Sequence, residues 1–198
     1  MIAWAPNLTN KNFPKNYFDW TIEDKIKLFE AQVLGWQLLI ADEIVNDSQN
    51  RHPHAGFAVL SILLNYFEMI GGYLDGKEGN TTRKHFSMGI TEVFPDLRSK
   101  KDIIDILYKE ARCGMYHVGI TGKSIVLSRN YKRIITVIEN ATDRLVVINP
   151  HSLATCLIDH FKEYIEKLRD ASQIVKIENF KKRFDFLKKE KVNIQSRI

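Results

Sequence analysis

Apolar residues in this chain return at three- and four-residue steps over most of its length. The period falls to two only between about Lys123 and Asn149. Steps of three and four align side chains on one face of an α-helix, whereas strict alternation aligns them on one face of a strand. The pattern therefore confines the chain to a mainly α fold, a helical bundle carrying a small β insertion.

Polar breaks divide the pattern into elements. Residues 1–20 hold two prolines with several asparagines and aromatics, and read as an irregular arm. Thr21 opens the first helix with Asp24 at the capping-box position, and the apolar line Ile22, Ile26, Phe29, Val33, Trp36 and Ile40 carries it to about Asn46. After the polar connection DSQNRHPH, a second helix starts near His54 and runs to Gly71-Gly72 or slightly beyond. Its middle is apolar almost all round, which predicts the most buried helix. DGKEGN is a loop rich in turn formers. A third helix covers Thr82 to Val93, closed by Pro95. The fourth begins near Ser99 with Asp102 in its first turn, and carries Ile103, Ile104, Leu107, Tyr108 and Ala111 on its apolar face. Gly114 weakens it, and Gly119 to Gly122 form the firmer stop.

KSIVLS, RIITVIE and DRLVVIN then read as strands, the last two as a hairpin about NAT, and the three together as a small antiparallel sheet. Asn149-Pro150 opens a helix through Leu153, Leu157, Phe161, Tyr164 and Leu168, with proline where its missing amide is harmless. The expected organisation is an arm (1–20), a helical domain (21–173) with the insertion at 124–148, and a tail (174–198).

Composition narrows the class. A length of 198 residues suffices for one sizeable core, and 44% apolar with 27% charged residues is inconsistent with a fully disordered chain. Cys113 and Cys156 stand far apart in no ligand or redox motif, which fits free thiols in a reducing interior. No basic stretch followed by an apolar core marks a targeting signal near the start. The apolar runs FAVLSILLNYF and GWQLLIA read as too short or too interrupted to cross a bilayer. A soluble cytoplasmic protein without a membrane partner is expected.

The formal charge is +5, and the tail from Ile174 holds eight Lys and Arg against three acidic residues, so the tail alone accounts for the excess. Phe180, Phe184 and Leu187 give it an apolar line, with Lys181, Lys182, Arg183, Lys188 and Lys189 around it. Such a basic amphipathic helix either holds nucleic acid through phosphate contacts or packs its apolar line on the body and turns lysines to water.

The chemistry-bearing stretch is RCGMYHVG, residues 112 to 119. Arg112 and His117 stand five apart where the fourth helix runs out. In one reading they only close the helix, since a cation favours a helix C-terminus. In the other, His117 exchanges a proton near neutral pH while Arg112 neutralises charge on phosphorus, the requirements for cleaving an RNA backbone. On a continuous helix the pair lies about 140° apart, so a break at Gly114 or a second subunit would help to bring them together.

Glu68, in the apolar stretch NYFEMIGG, either orients Arg112 or faces solvent, and Asn65 and Tyr66 are open in the same way. No metal-ligand pattern is present: His52 and His54 are a local pair, and His85 and His160 read as structural or surface residues. Gly71-Gly72 and Gly119-x-x-Gly122 lack the strand-loop-helix context of a nucleotide site. No nucleophile motif marks an acyl-transfer triad, and no cofactor is expected.

The mainly helical pattern, with R-x4-H ending its penultimate major helix, resembles the HEPN superfamily over roughly residues 21 to 170. The resemblance implies a metal-independent endoribonuclease acting on single-stranded RNA at a groove between two protomers. Arg112 and His117 would be its catalytic pair; Glu68, Asn65 and Tyr116 read as supporting residues from their places in this sequence, not from the family's motif. It equally allows a non-catalytic interaction or RNA-binding module with a protein partner in defence or regulation. Two positions depart from the family's pattern. Cys113 follows the arginine where active members commonly carry asparagine, aspartate or histidine. Gly119 stands where toxin-type members have a tyrosine, while Tyr116 precedes the histidine. Both differences bear on catalysis more than on fold.

Overall fold

The computed structural model describes residues 8, 13–14, 17–47, 55–79, 81–139 and 143–195, with side chains as far as Lys188. Most of the arm, most of DSQNRHPH and the NAT turn lie outside the described residues. Helix α1 (Ile22–Val33) begins at a complete capping box: the Thr21 hydroxyl accepts the Asp24 N–H at 3.1 Å, and the Asp24 carboxylate accepts the Thr21 N–H at 2.8 Å. The helix then widens into a π-turn (Leu34–Leu38) and continues as α2 (Leu39–Val45).

That turn corrects the apolar line expected of this helix. Ile26, Phe29 and Val33 are buried, but Trp36 and Ile40 are exposed, and the burial resumes at Leu38, Ala41 and Val45. The i→i+5 bonding of a π-turn accommodates an extra residue, which rotates everything after it by about 100°. The inward face is thus read off at a five-residue step between Val33 and Leu38.

Helix α3 (Gly56–Asp75) is the centre of the bundle, with ten of its twenty residues buried. Its length and composition also pass those of a membrane-spanning helix, with a mean hydropathy of 1.5, which corrects the reading of FAVLSILLNYF as too short. Just over half of that stretch is buried against other helices here. Helix α4 (Thr82–Val93) crosses α3 at backbone contact: a Cβ on Gly71 would meet the His85 carbonyl oxygen at 1.8 Å, and one on Gly89 the Phe67 carbonyl oxygen at 1.9 Å. Only glycine fits at those two positions.

A short 3₁₀ turn (Pro95–Leu97) leads to α5 (Lys101–Ile106), a second π-turn (Leu107–Cys113) and the single turn α6 (Gly114–His117). The helix therefore passes through Gly114 and stops at Gly119, whose φ of 80° lies where other residues are strained. Strands β1 (Ile125–Leu127), β2 (Ile135–Glu139) and β3 (Arg144–Ile148) follow.

The sheet is mixed, where an antiparallel one was expected. Its order is β1-β3-β2, with β1 parallel and β2 antiparallel to β3. The β2–β3 hairpin is as read, but β3 inserts between its two predecessors. It carries the most buried run, Val146, Val147 and Ile148, and so takes the position with both edges paired.

Asn149 caps α7 (Pro150–Arg169) through its side-chain oxygen, while its amide donates to the Tyr131 carbonyl at 2.9 Å. Helix α8 (Ile174–Gln195) shares the core of the bundle. Phe29 of α1 lies 4.4 Å from Tyr73 of α3, 5.4 Å from Phe161 of α7 and 5.3 Å from Phe180 of α8, ring centre to ring centre. The described part of the arm packs as well: Phe13 stacks on Trp20, and the Tyr17 hydroxyl donates to Asp185 of α8.

Candidate functional site

Ser61, Asn65 and Glu68 recur at four- and three-residue steps and share one face of α3. Arg112 and Tyr116 are four apart and share one face of the helix that ends in α6. The two faces meet. Nη2 of Arg112 lies 2.7 Å from Oε2 of Glu68, with the side chains 16% and 22% exposed. The guanidinium carbon sits 4.7 Å from the centre of the Tyr116 ring. The Tyr116 hydroxyl donates to the Ser61 carbonyl oxygen at 3.3 Å, and Asn65 reaches the same hydroxyl. Burial pushes the Tyr116 hydroxyl above its ordinary pKa, against the opposing pull of Asn65 and Arg112, so it is held as a neutral phenol.

The ion pair is one of charge more than of hydrogen-bond alignment. Oε2 of Glu68 and Nε of Arg112 are both buried without a hydrogen-bond partner among the described residues, although the charged groups are in contact. Glu68 thereby fixes where the guanidinium sits, and Tyr116 covers it from the side. A cation held this way is preorganised to meet an anion that approaches its remaining exposed surface.

His117 is exposed at the last residue of α6, a further ~100° round the helix from Tyr116. Among the described residues no hydrogen bond or ring contact joins it to Arg112. The structure thus brings Arg112 together with Glu68 and Tyr116, joins Asn65 to them through the Tyr116 hydroxyl, and leaves His117 unbonded to Arg112. Next to it, Val118 and Ile120 are exposed, and Phe57 is exposed one turn before Ser61 on the same face of α3.

Two contributors carry no signal that the sequence reading used. The Ser61 carbonyl is a backbone group, although its place at the head of the Ser61, Asn65, Glu68 spacing was available. Glu110, within the π-turn, accepts the Ser124 N–H at 2.8 Å and its hydroxyl at 3.0 Å, which pins the segment leaving the site.

The basic residues of α8 separate. Lys181 and Lys182 are exposed. Arg183, grouped with them as a nucleic-acid contact, is 7% exposed and donates from Nη1 to the carbonyl oxygens of Lys77 at 3.2 Å and Gly79 at 2.8 Å. It is a structural residue under the loop after α3. Lys188 lies over the Phe184 ring, and the Lys189 side chain is outside the described residues.

Along α7 an open groove of ≈ 630 Å³ carries His151, Cys156, Asp159 and His160. The buried Tyr66 hydroxyl meets Nδ1 of His160 there at 2.7 Å. Among the described residues no group of three or more His, Cys, Asp or Glu side chains is placed to share a metal ion. No protein-family model, curated protein or solved structure matches the chain.

Proposed function

We propose that this chain is a HEPN-type, metal-independent endoribonuclease that cleaves single-stranded RNA as a cytoplasmic homodimer. The observation that carries the reading is the Glu68–Arg112 ion pair beside an exposed His117 at the end of one helix. Arg112, oriented by Glu68, neutralises the charge that builds on the scissile phosphate. His117 takes the 2′-hydroxyl proton or returns one to the leaving 5′-oxygen, producing a 2′,3′-cyclic phosphate. A second copy supplies the complementary pair across a groove, and the exposed Val118, Ile120 and Phe57 beside the site support such an interface. The basic α8 contributes phosphate contacts through its exposed lysines.

The test is cleavage of a mixed-sequence single-stranded RNA in EDTA. Wild-type protein cleaves, and His117→Ala and Arg112→Ala each lose about 100-fold or more. Equal cleavage by all three, or none by the wild type, moves the assignment to the second reading. That reading is a non-catalytic RNA-binding or assembly module. It is favoured by one specific arrangement: Arg112 is already engaged by Glu68 and Tyr116, and within one protomer no hydrogen bond joins it to His117.

A further inference from the structure

The Tyr116 ring is fixed at three points yet remains 45% exposed. Its hydroxyl is tied to the Ser61 carbonyl, Asn65 reaches that hydroxyl, and the Arg112 guanidinium covers the ring from one side at 4.7 Å. A side chain so anchored presents a flat apolar surface that does not have to be ordered when something stacks on it, which removes a cost of binding. The guanidinium behind the ring, paired with Glu68 at 2.7 Å, has further N–H donors to offer a phosphate at the same spot.

We infer that Tyr116 is a stacking platform for one unpaired nucleobase, and that it sets where along a single strand the phosphate meets Arg112. The inference rests on the nuclease reading and adds to it a residue that positions substrate. A base stacked on the open side of the ring places its own backbone within about one nucleotide of the guanidinium. Stacking of this kind tolerates any base, because every base has a π-face. Selection for unpaired over duplex RNA follows, since a paired base has no free face to offer. A neutral protein surface docking here would use the ring and bring the guanidinium no anion, whereas a nucleotide supplies a π-face and a phosphate together. The geometry therefore favours a nucleotide.

The experiment uses single-stranded RNA oligomers carrying 2-aminopurine at each position in turn, and matched oligomers abasic at that position. Binding is measured in the His117→Ala background so that the RNA survives. The expected result is quenching of 2-aminopurine at one position, kept in Tyr116→Phe and lost in Tyr116→Leu. Tyr116→Leu also weakens binding of intact RNA roughly tenfold. The RNA abasic at that position binds both proteins equally. Three results would overturn the inference. Tyr116→Leu weakens intact and abasic RNA alike, which is a structural effect through Arg112. No position is quenched. Or Tyr116→Leu changes only the oligomeric mass, so that a second copy covers the ring. Quenching without cleavage by the wild type in EDTA keeps the platform and removes the nuclease reading. Cleavage without base dependence does the reverse, and failure to bind RNA removes both.

Discussion

Tyr66 and His160 show how a single buried hydroxyl ties a titratable group to the core. Tyr66 is fully buried, and its hydroxyl meets Nδ1 of His160, 2.7 Å away at the wall of the α7 groove. Burial first, then Lys167 and Lys176, pull the His160 pKa below its ordinary value, against the carboxylates of Glu92 and Glu163. The folded state thus takes up a proton on His160 less readily than the unfolded chain does. Above the ordinary histidine pKa of about 6.5 both states are neutral, and nothing is lost. Below it the unfolded chain binds more protons, so stability falls with pH. The Tm should therefore drop between pH 7.5 and pH 5.5, and His160→Asn, which keeps an acceptor near Nδ1, should flatten that profile. Tyr66→Phe should cost about 1 kcal/mol at neutral pH, a Tm loss of about 3 °C. At the candidate site the legible residues were those whose chemistry conflicted with their surroundings. Glu68 stood out as a carboxylate in an apolar run, and Arg112 was its natural partner. The Ser61 carbonyl was hidden because a backbone acceptor has no letter of its own in the sequence.

At the scale of elements, helix boundaries were readable wherever a side chain caps or a residue type forbids continuation. Thr21, Pro95, Gly119 and Asn149-Pro150 each mark an end that the structure keeps within a residue or two. The two π-turns were not readable, since a helix that admits one extra residue shows no special composition. Only the shift of burial from Val33 to Leu38 betrays the first of them. The parallel β1–β3 pairing was equally hidden, because alternation reports that a segment is a strand and says nothing of its neighbour. The α3–α4 crossing lies between these cases. Gly71 and Gly89 are visible as letters, but their purpose becomes plain only when each is seen against a carbonyl of the other helix. Gly89→Ala should force the two backbones apart and cost about 3 kcal/mol, the upper range for overpacking. That corresponds to a Tm loss of roughly 6–12 °C. Gly79→Ala makes a useful comparison, because a Cβ there meets nothing within 4 Å. Its cost should be confined to the positive φ of 99° and stay well below that of Gly89→Ala. Similar losses at the two positions would show that the crossing is able to relax.

For the whole molecule, the question is how a helix with seven basic residues against three acidic ones, a net +4, also serves as part of the core. Successive residues on a helix point about 100° apart, so three basic residues in a row cannot all face solvent when the next residue is buried. Phe180 and Phe184 face inward, which leaves Lys181 and Lys182 outward and turns Arg183 toward the loop after α3. The arrangement divides the labour of the basic stretch into two measurable parts. Lys181 and Lys182 belong to the proposed RNA face. Replacing both with alanine should leave the Tm unchanged and reduce the slope of log binding constant against log salt by about 1.4, at about 0.7 per phosphate contact on single strands. Arg183→Met should do the opposite. Two carbonyl oxygens lose their donor, which costs about 2 kcal/mol and a Tm loss of roughly 4–8 °C, while the salt slope stays as it was. RNA titrations at several salt concentrations, set beside thermal melts of the same three proteins, check both at once. A slope that falls with Arg183→Met and not with the lysine pair would place the RNA face elsewhere on the molecule.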